Sequence, residues 1–194
     1  MKIKAILTIL MCLFIYLMYP VKTEASWTEG HYEIYPGDVY GELEIYNDVT
    51  LDIFGGDIYQ LYTFDTTLTN FYDGTIDYLW SRENSIVSIY DGVINMLGLR
   101  ENSIVNLYGG HVATFTAHPS EFAILKLYAY DVTYHTSGGY WNDGWIEGKY
   151  ILYDQPFRFD IYGDDSFSHV NIVPEPATMM LLGLGSLLVI RKRK

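Results

Sequence analysis

The sequence predicts an all-β fold, a short parallel β-helix with 18-residue coils, expected to be right-handed and closed by a C-terminal β cap. Four blocks from Val49 onward align without gaps: VTLDIFGGDIYQLYTFDT, TLTNFYDGTIDYLWSREN, SIVSIYDGVINMLGLREN and SIVNLYGGHVATFTAHPS. Glycines recur at Gly56, Gly74, Gly92 and Gly110, with Phe54, Tyr72, Tyr90 and Tyr108 two residues before them. Two apolar columns follow each glycine: Ile58, Ile76, Ile94 and Val112, then Leu61, Leu79, Leu97 and Phe115. A fixed period outranks local propensity, because one repeat cannot bury its apolar face without a neighbouring copy.

The chain opens on residues 1–25, read as a secretory signal. Lys2 and Lys4 give a basic start, residues 5–19 are almost wholly apolar, and Thr23 and Ala25 supply the small residues for cleavage before Ser26. Such a signal implies a Sec-type export machinery and a signal peptidase as partners. The chain's single cysteine, Cys12, lies inside this segment, so the exported chain holds together without disulfides.

The solenoid is expected over residues 26–135. Its first coil is degenerate: Gly37 falls near the glycine turn, Tyr40 in the Ile58 column and Leu43 in the Leu61 column. Trp27 and Tyr32 are expected to cover the open end, since a terminal coil lacks a neighbour on one side. Each full coil carries a short first strand with apolar outer members, such as Leu51 and Ile53 around Asp52. That period of two turns the apolar pair to one face. Thr69 is an exception in this column. The glycine corner follows, where a positive φ costs glycine nothing. On the second strand the inward positions, Ile58 and Leu61, stand three apart, so a bulge must lie between them.

At the opposite corner Arg82-Glu83-Asn84 recurs as Arg100-Glu101-Asn102. Asn84 and Asn102 are expected to form an amide ladder, and the arginines to pair diagonally with the glutamates. A flatter two-sheet solenoid and a set of antiparallel hairpins remain as rival architectures. DG and GG pairs are hairpin signals when taken alone. A left-handed β-helix fits less well, since the apolar columns do not recur every six residues.

Past Ser120 the period loosens. Residues 136–173 are expected to form the cap, with strands near residues 145–153, 157–162 and 167–172. A cap closes the stack and blocks growth at its edge.

The chain ends on residues 174–194. Pro174-Glu175-Pro176 precedes an apolar run over residues 177–190, and Arg191, Lys192, Arg193 and Lys194 close the chain. As a helix that run spans about 21 Å, short for a standard transmembrane crossing. The four basic residues hold such a run with its end in the cytoplasm. This ending resembles the PEP-CTERM sorting signal of Gram-negative bacteria: the Pro-Glu-Pro box, the hydrophobic helix and the basic tail. The resemblance implies a transient inner-membrane anchor, cut near the box by an exosortase. It also implies release or transfer to the cell surface, often into the extracellular matrix of biofilm formers.

Residues 26–173 carry five basic against 22 acidic side chains, a formal net charge of −17. Nucleic acid and anionic membranes are poor partners for that charge. No nucleophile–histidine–carboxylate set, metal motif or phosphate loop is visible, and His31, His111, His118, His135 and His169 show no ligand spacing. No cofactor is expected. Calcium at the Asp73 and Asp91 column is a weak alternative.

The functional expectation is a non-enzymatic, exported structural protein of the surface or matrix. A carbohydrate-binding module is the alternative, with Tyr140, Trp141 and Trp145 as contacts to an extracellular polysaccharide. A β-helix polysaccharide lyase or hydrolase is the second alternative.

Overall fold

The computed structural model describes residues 22–118 and 121–174. The hydrophobic stretches expected as terminal helices lie outside these residues, as do Glu175, Pro176, Arg191, Lys192, Arg193 and Lys194. Among the described residues no helix is long and apolar enough to cross a membrane.

The chain builds a β-solenoid of about six turns, each of about 18 residues. It has two sheets. Sheet A runs β1 (Lys22–Trp27), β3 (Val39–Ile45), β5 (Asp57–Thr63), β7 (Thr75–Ser81), β9 (Val93–Leu99) and β11 (His111–Ala117). Sheet B runs β2 (His31–Ile34), β4 (Thr50–Ile53), β6 (Leu68–Phe71), β8 (Ile86–Ile89), β10 (Ile104–Leu107) and β12 (Ile124–Leu127). Every neighbouring pair in these runs is parallel. Ile58 pairs with Ile76 and Ile76 with Ile94, so like stacks on like and the hairpin rival is excluded.

The expected bulge is present. Registers jump from Ile58–Ile76 to Gln60–Tyr78, leaving Tyr59 and Asp77 outside the ladder. The glycine corners also behave as their columns demand, with φ of 96°, 110°, 91° and 84° at Gly56, Gly74, Gly92 and Gly110. A Cβ on Gly74 would stand 2.6 Å from the Gly56 carbonyl oxygen, so the stacked corners leave no space for one.

The core is the space between the two sheets. Leu51, Ile53, Phe71, Val87, Ile89, Val105 and Leu107 enter from sheet B and meet the Ile58 and Leu61 columns of sheet A. Burying each such side chain stabilises by about 1.5–3 kcal/mol. Two further inward columns are polar, which their composition conceals. Thr63, Ser81, Ser85 and Ser103 are fully buried. They satisfy one another: Thr63 Oγ1 donates to Ser85 Oγ at 3.1 Å, Ser81 and Ser85 share a hydrogen bond at 2.8 Å, and Ser103 Oγ donates to the Ser81 carbonyl at 2.9 Å.

The second corner departs from expectation. Asn84 and Asn102 do meet, Asn102 Nδ2 donating to Asn84 Oδ1 at 3.5 Å. The arginines do not pair with the glutamates. Arg82 lies over the Tyr62 and Phe64 rings and Arg100 over Trp80, at 5.4, 5.5 and 5.5 Å from the ring centroids. The carboxylates turn instead to backbone. Asn47, Asp65, Glu83 and Glu101 have φ of 57°, 52°, 56° and 59°, a left-handed turn that points each N–H along the stack. The N–H of Asn47 donates to Asp65, that of Asp65 to Glu83, that of Glu83 to Glu101 and that of Glu101 to Glu121. Hydrogen bonds from the Asn47 backbone and then from the Glu83 carboxyl hold Asp65 below its usual value, whereas the neighbouring Asp65 carboxyl pushes Glu83 up.

At the start, Trp27 stacks on Tyr32 at 4.2 Å and meets Tyr40 edge-on at 5.9 Å. Strand β1 extends the 18-residue register back to Lys22, which pairs with Tyr40, so it runs across the expected cleavage point before Ser26.

At the other end the pairing reverses. β13 (Ala129–His135) and β14 (Trp145–Tyr150) are antiparallel, as are β14 and β15 (Pro156–Tyr162). β15 then lies parallel on β11 and continues the stack. The last strand expected from residue 167 begins later: Asp164–His169 is a 3-10 helix, and β16 covers Val170–Ile172 alone, parallel to β12. The helix is pinned because Ser166 Oγ accepts from the Ala117 N–H at 3.0 Å and donates to the Tyr162 carbonyl at 2.9 Å.

Candidate functional site

Parallel stacking turns each outward residue into a member of a row. Sheet B presents three such rows. One is aliphatic, Leu68, Ile86, Ile104 and Ile124; the next is polar, Asp52, Asn70, Ser88, Asn106 and Lys126. The third is aromatic. Tyr35, Phe54, Tyr72, Tyr90, Tyr108 and Tyr128 stack at successive centroid distances of 5.5, 5.1, 5.1, 5.0 and 4.1 Å. Their faces cover one another, so the row shows ring edges to solvent and no face on which a sugar could stack.

The polar row is knitted along the stack. Asn70 Nδ2 donates to Asp52 Oδ1 at 2.8 Å, and His31 Nε2 lies 3.0 Å from Asp52 Oδ2. On sheet A, Asn95 Nδ2 donates to Asp77 Oδ1 at 2.6 Å. The Asp73 and Asp91 carboxylates accept from the N–H of the glycine that follows each, at 2.7 and 2.8 Å. Among the described residues no group of three or more His, Cys, Asp or Glu side chains could hold a metal ion.

The outer face of sheet A is graded from end to end. Near its start, Glu24, Glu42 and Glu44 border a shallow acidic hollow. Toward the cap the same face becomes aromatic and cationic. The outward column reads Glu44, Tyr62, Trp80, Gly98, Thr116 and Tyr162 in register. At Gly98 the six-membered ring of Trp80 fills the space of the missing side chain, 2.2 Å from where a Cβ would be. Trp80, lying over Gly98, and Tyr162 thus form end walls with the small residue Thr116 between them. Met96 borders one side, and Arg100 and His118 the other. The slot, open to solvent, has a volume of about 360 Å³. None of its lining side chains is a carboxylate.

The aromatic surface continues onto the cap. Tyr162 meets Trp141 at 4.9 Å, and Trp141 meets Tyr140 edge-on at 4.8 Å. Tyr140 is 79% exposed and Trp141 42%. Their loop is fastened rather than loose. The Tyr140 N–H donates to Asp160 at 2.9 Å, the Gly163 N–H to Asp143 at 3.0 Å, and the Gly144 N–H to the Gly138 carbonyl at 2.9 Å.

Trp145, grouped with Tyr140 and Trp141 by sequence, stands apart from them. His135 stacks on its ring at 4.1 Å, Arg158 lies over it at 4.5 Å, and its Nε1–H donates to Glu147 at 3.3 Å. The hydrogen bond from His135 holds Glu147 below the usual carboxylate range. Trp80, Arg100 and Tyr162 are what sequence reasoning missed as one cluster. The signal that could have found it is Gly98, the small residue in a column that otherwise carries Tyr62, Trp80 and Tyr162.

The sorting box begins at the last described residue. The Val173 N–H donates to the Leu127 carbonyl at 2.9 Å, and Pro174 follows, exposed. Residues 173–194 match the family model of the PEP-CTERM protein-sorting motif. Comparison with curated proteins and with solved structures returns no match.

Proposed function

We propose that this protein is a non-enzymatic structural component of the cell surface or extracellular matrix. The observation that carries the reading is the PEP-CTERM motif over residues 173–194, which implies an exported protein processed at the membrane by an exosortase. The motif begins at Val173, whose N–H makes the last backbone hydrogen bond of the solenoid among the described residues. A cut near the box would therefore release the solenoid with its sheets whole. Regular outward rows and a net charge of −17 over residues 26–173 support a scaffold that stays soluble outside the cell.

Two experiments test it. Replacing Pro174-Glu175-Pro176 by alanines is expected to leave a larger, membrane-retained form; unchanged size and location would refute processing at the box. Deleting the gene is expected to reduce surface matrix or cell aggregation, and an unchanged envelope and matrix would refute the structural role.

A second reading, a carbohydrate-binding module, is favoured by one feature: the exposed Tyr140–Trp141–Tyr162 cluster adjoining the Trp80 slot.

A further inference from the structure

We infer that the slot between Trp80 and Tyr162 binds a uronic-acid unit of an acidic polysaccharide, with the next units of the chain passing over Trp141 and Tyr140. The inference rests on the carbohydrate-binding reading and names its ligand.

Shape comes first. At about 360 Å³ the slot lies within the range of small-ligand sites, roughly 300–1,000 Å³. Its two end walls are aromatic, and Leu99, Thr116 and Ala117 line it between them, the space over Gly98 being taken by the Trp80 ring. A pyranose ring offers C–H groups on its faces and hydroxyls at its rim. The C–H groups suit the electron-rich face of Tyr162. The Thr116 hydroxyl borders the slot as a partner for a rim hydroxyl, and the His118 ring beside it is paired with Glu121, Nδ1 to Oε1 at 3.5 Å.

Charge selects among sugars. Residues 26–173 contain five basic side chains, and Arg100 is the one that borders this slot. Among the described residues its guanidinium forms no ion pair or hydrogen bond; it is held over the Trp80 ring at 5.5 Å. That contact fixes the plane of the fork without consuming its N–H donors. A carboxylate accepts two parallel hydrogen bonds from such a fork. The glutamates at this corner have partners other than Arg100: Glu101 accepts from the Glu83 N–H, and Glu121 accepts from the Glu101 N–H and lies 3.5 Å from the His118 ring. The acidity of the rest of the protein acts at longer range, and salt screens it beyond about 8 Å at physiological ionic strength. The match is therefore local, at one guanidinium, and the acidic hollow near Glu42 and Glu44 lies at the far end of the same face.

Direction follows from the aromatic series. Tyr162 belongs to both the slot and the surface cluster, so a chain leaving the slot passes Tyr162, then Trp141, then Tyr140. The loop carrying the last two is fastened by Asp160 and Asp143, so little ordering cost falls on binding.

The exported protein, purified after processing, is titrated calorimetrically with oligogalacturonates of three and six units and with neutral cello-oligosaccharides of the same lengths. Binding of the oligogalacturonates with no measurable binding of the neutral series is expected. Arg100→Gln should weaken galacturonate binding at least about tenfold, and Tyr162→Ala by a similar factor. Trp141→Ala should weaken the hexamer and leave the trimer unchanged. Each variant is first matched to the parent by circular dichroism and melting temperature. Should Arg100→Gln fail that check, Arg100→Lys, which keeps the charge and loses the fork, replaces it. Neutral sugars binding as well as galacturonates, or galacturonate binding unchanged in the arginine variant, would overturn the uronate assignment and leave the carbohydrate reading standing. No binding of either series would overturn both.

Discussion

At position 69 the inward column that runs Leu51, Val87 and Val105 carries a threonine. Its side chain is buried and its Oγ1 has no hydrogen-bond partner. An unpaired buried hydroxyl costs more than the methyl that could replace it. Thr69→Val should raise the unfolding free energy by about 1 kcal/mol, seen as a higher denaturant midpoint with an unchanged slope. Thr63, Ser81 and Ser85 look equally misplaced in sequence but form a closed set of hydrogen bonds, so the same change at Ser85 is expected to destabilise. Gly74 shows the opposite constraint. At φ of 110°, with the Gly56 carbonyl 2.6 Å from any added Cβ, Gly74→Ala should cost at least about 2 kcal/mol. Thermal unfolding of the variant checks this.

At the scale of rows and strands, the aromatic corner has its own signature. A hydrogen bond to Tyr128, with burial behind it, pushes the Tyr108 phenol up to about 12. The folded state therefore favours the neutral phenol. That contribution is whole below the ordinary value of 10.0 and is lost as pH rises from there toward about 12. Alkaline titration of tyrosinate absorbance should show a late-ionising component in the folded protein. Tyr128→Phe should move that component earlier; an unchanged profile would refute the pairing. The cap works by direction of pairing. β14 and β13 lie antiparallel beyond β15, so the parallel ladder ends on strands that offer a different hydrogen-bond pattern.

Across the whole molecule, most of the solenoid is written in the sequence, because stacking forces like onto like every 18 residues. The glycine corners, the bulge between Ile58 and Leu61 and the parallel register follow from that single rule. Three things did not. Buried hydroxyls read as surface residues by composition, since only a neighbouring coil reveals their partners. Arg82 and Arg100 read as ion-pair partners for the adjacent glutamates, yet flat aromatic neighbours and backbone N–H groups claimed the two charges separately. The slot joins Trp80 to Tyr162, which come together only because β15 returns to lie on β11 after the excursion through β13 and β14. No repeat period predicts a return across so long an interval. Tyr140 and Trp141 were legible as an aromatic pair; the role of Trp145 was not, because His135 and Arg158 cover it.

The constant step of 18 from β4 to β10 and along sheet A to β11 makes this protein extensible, like a ruler cut in equal divisions. Inserting a second copy of residues 85–102 after residue 102 should lengthen the molecule by about 4.8 Å, measurable by small-angle scattering, with a melting temperature no lower than the parent's. Seventeen inserted residues would force one corner to close with a residue fewer than its stacked copies and should lower the melting temperature below that of the 18-residue insertion. The length of the molecule thus changes by duplication alone, and the slot at the cap is left unaltered.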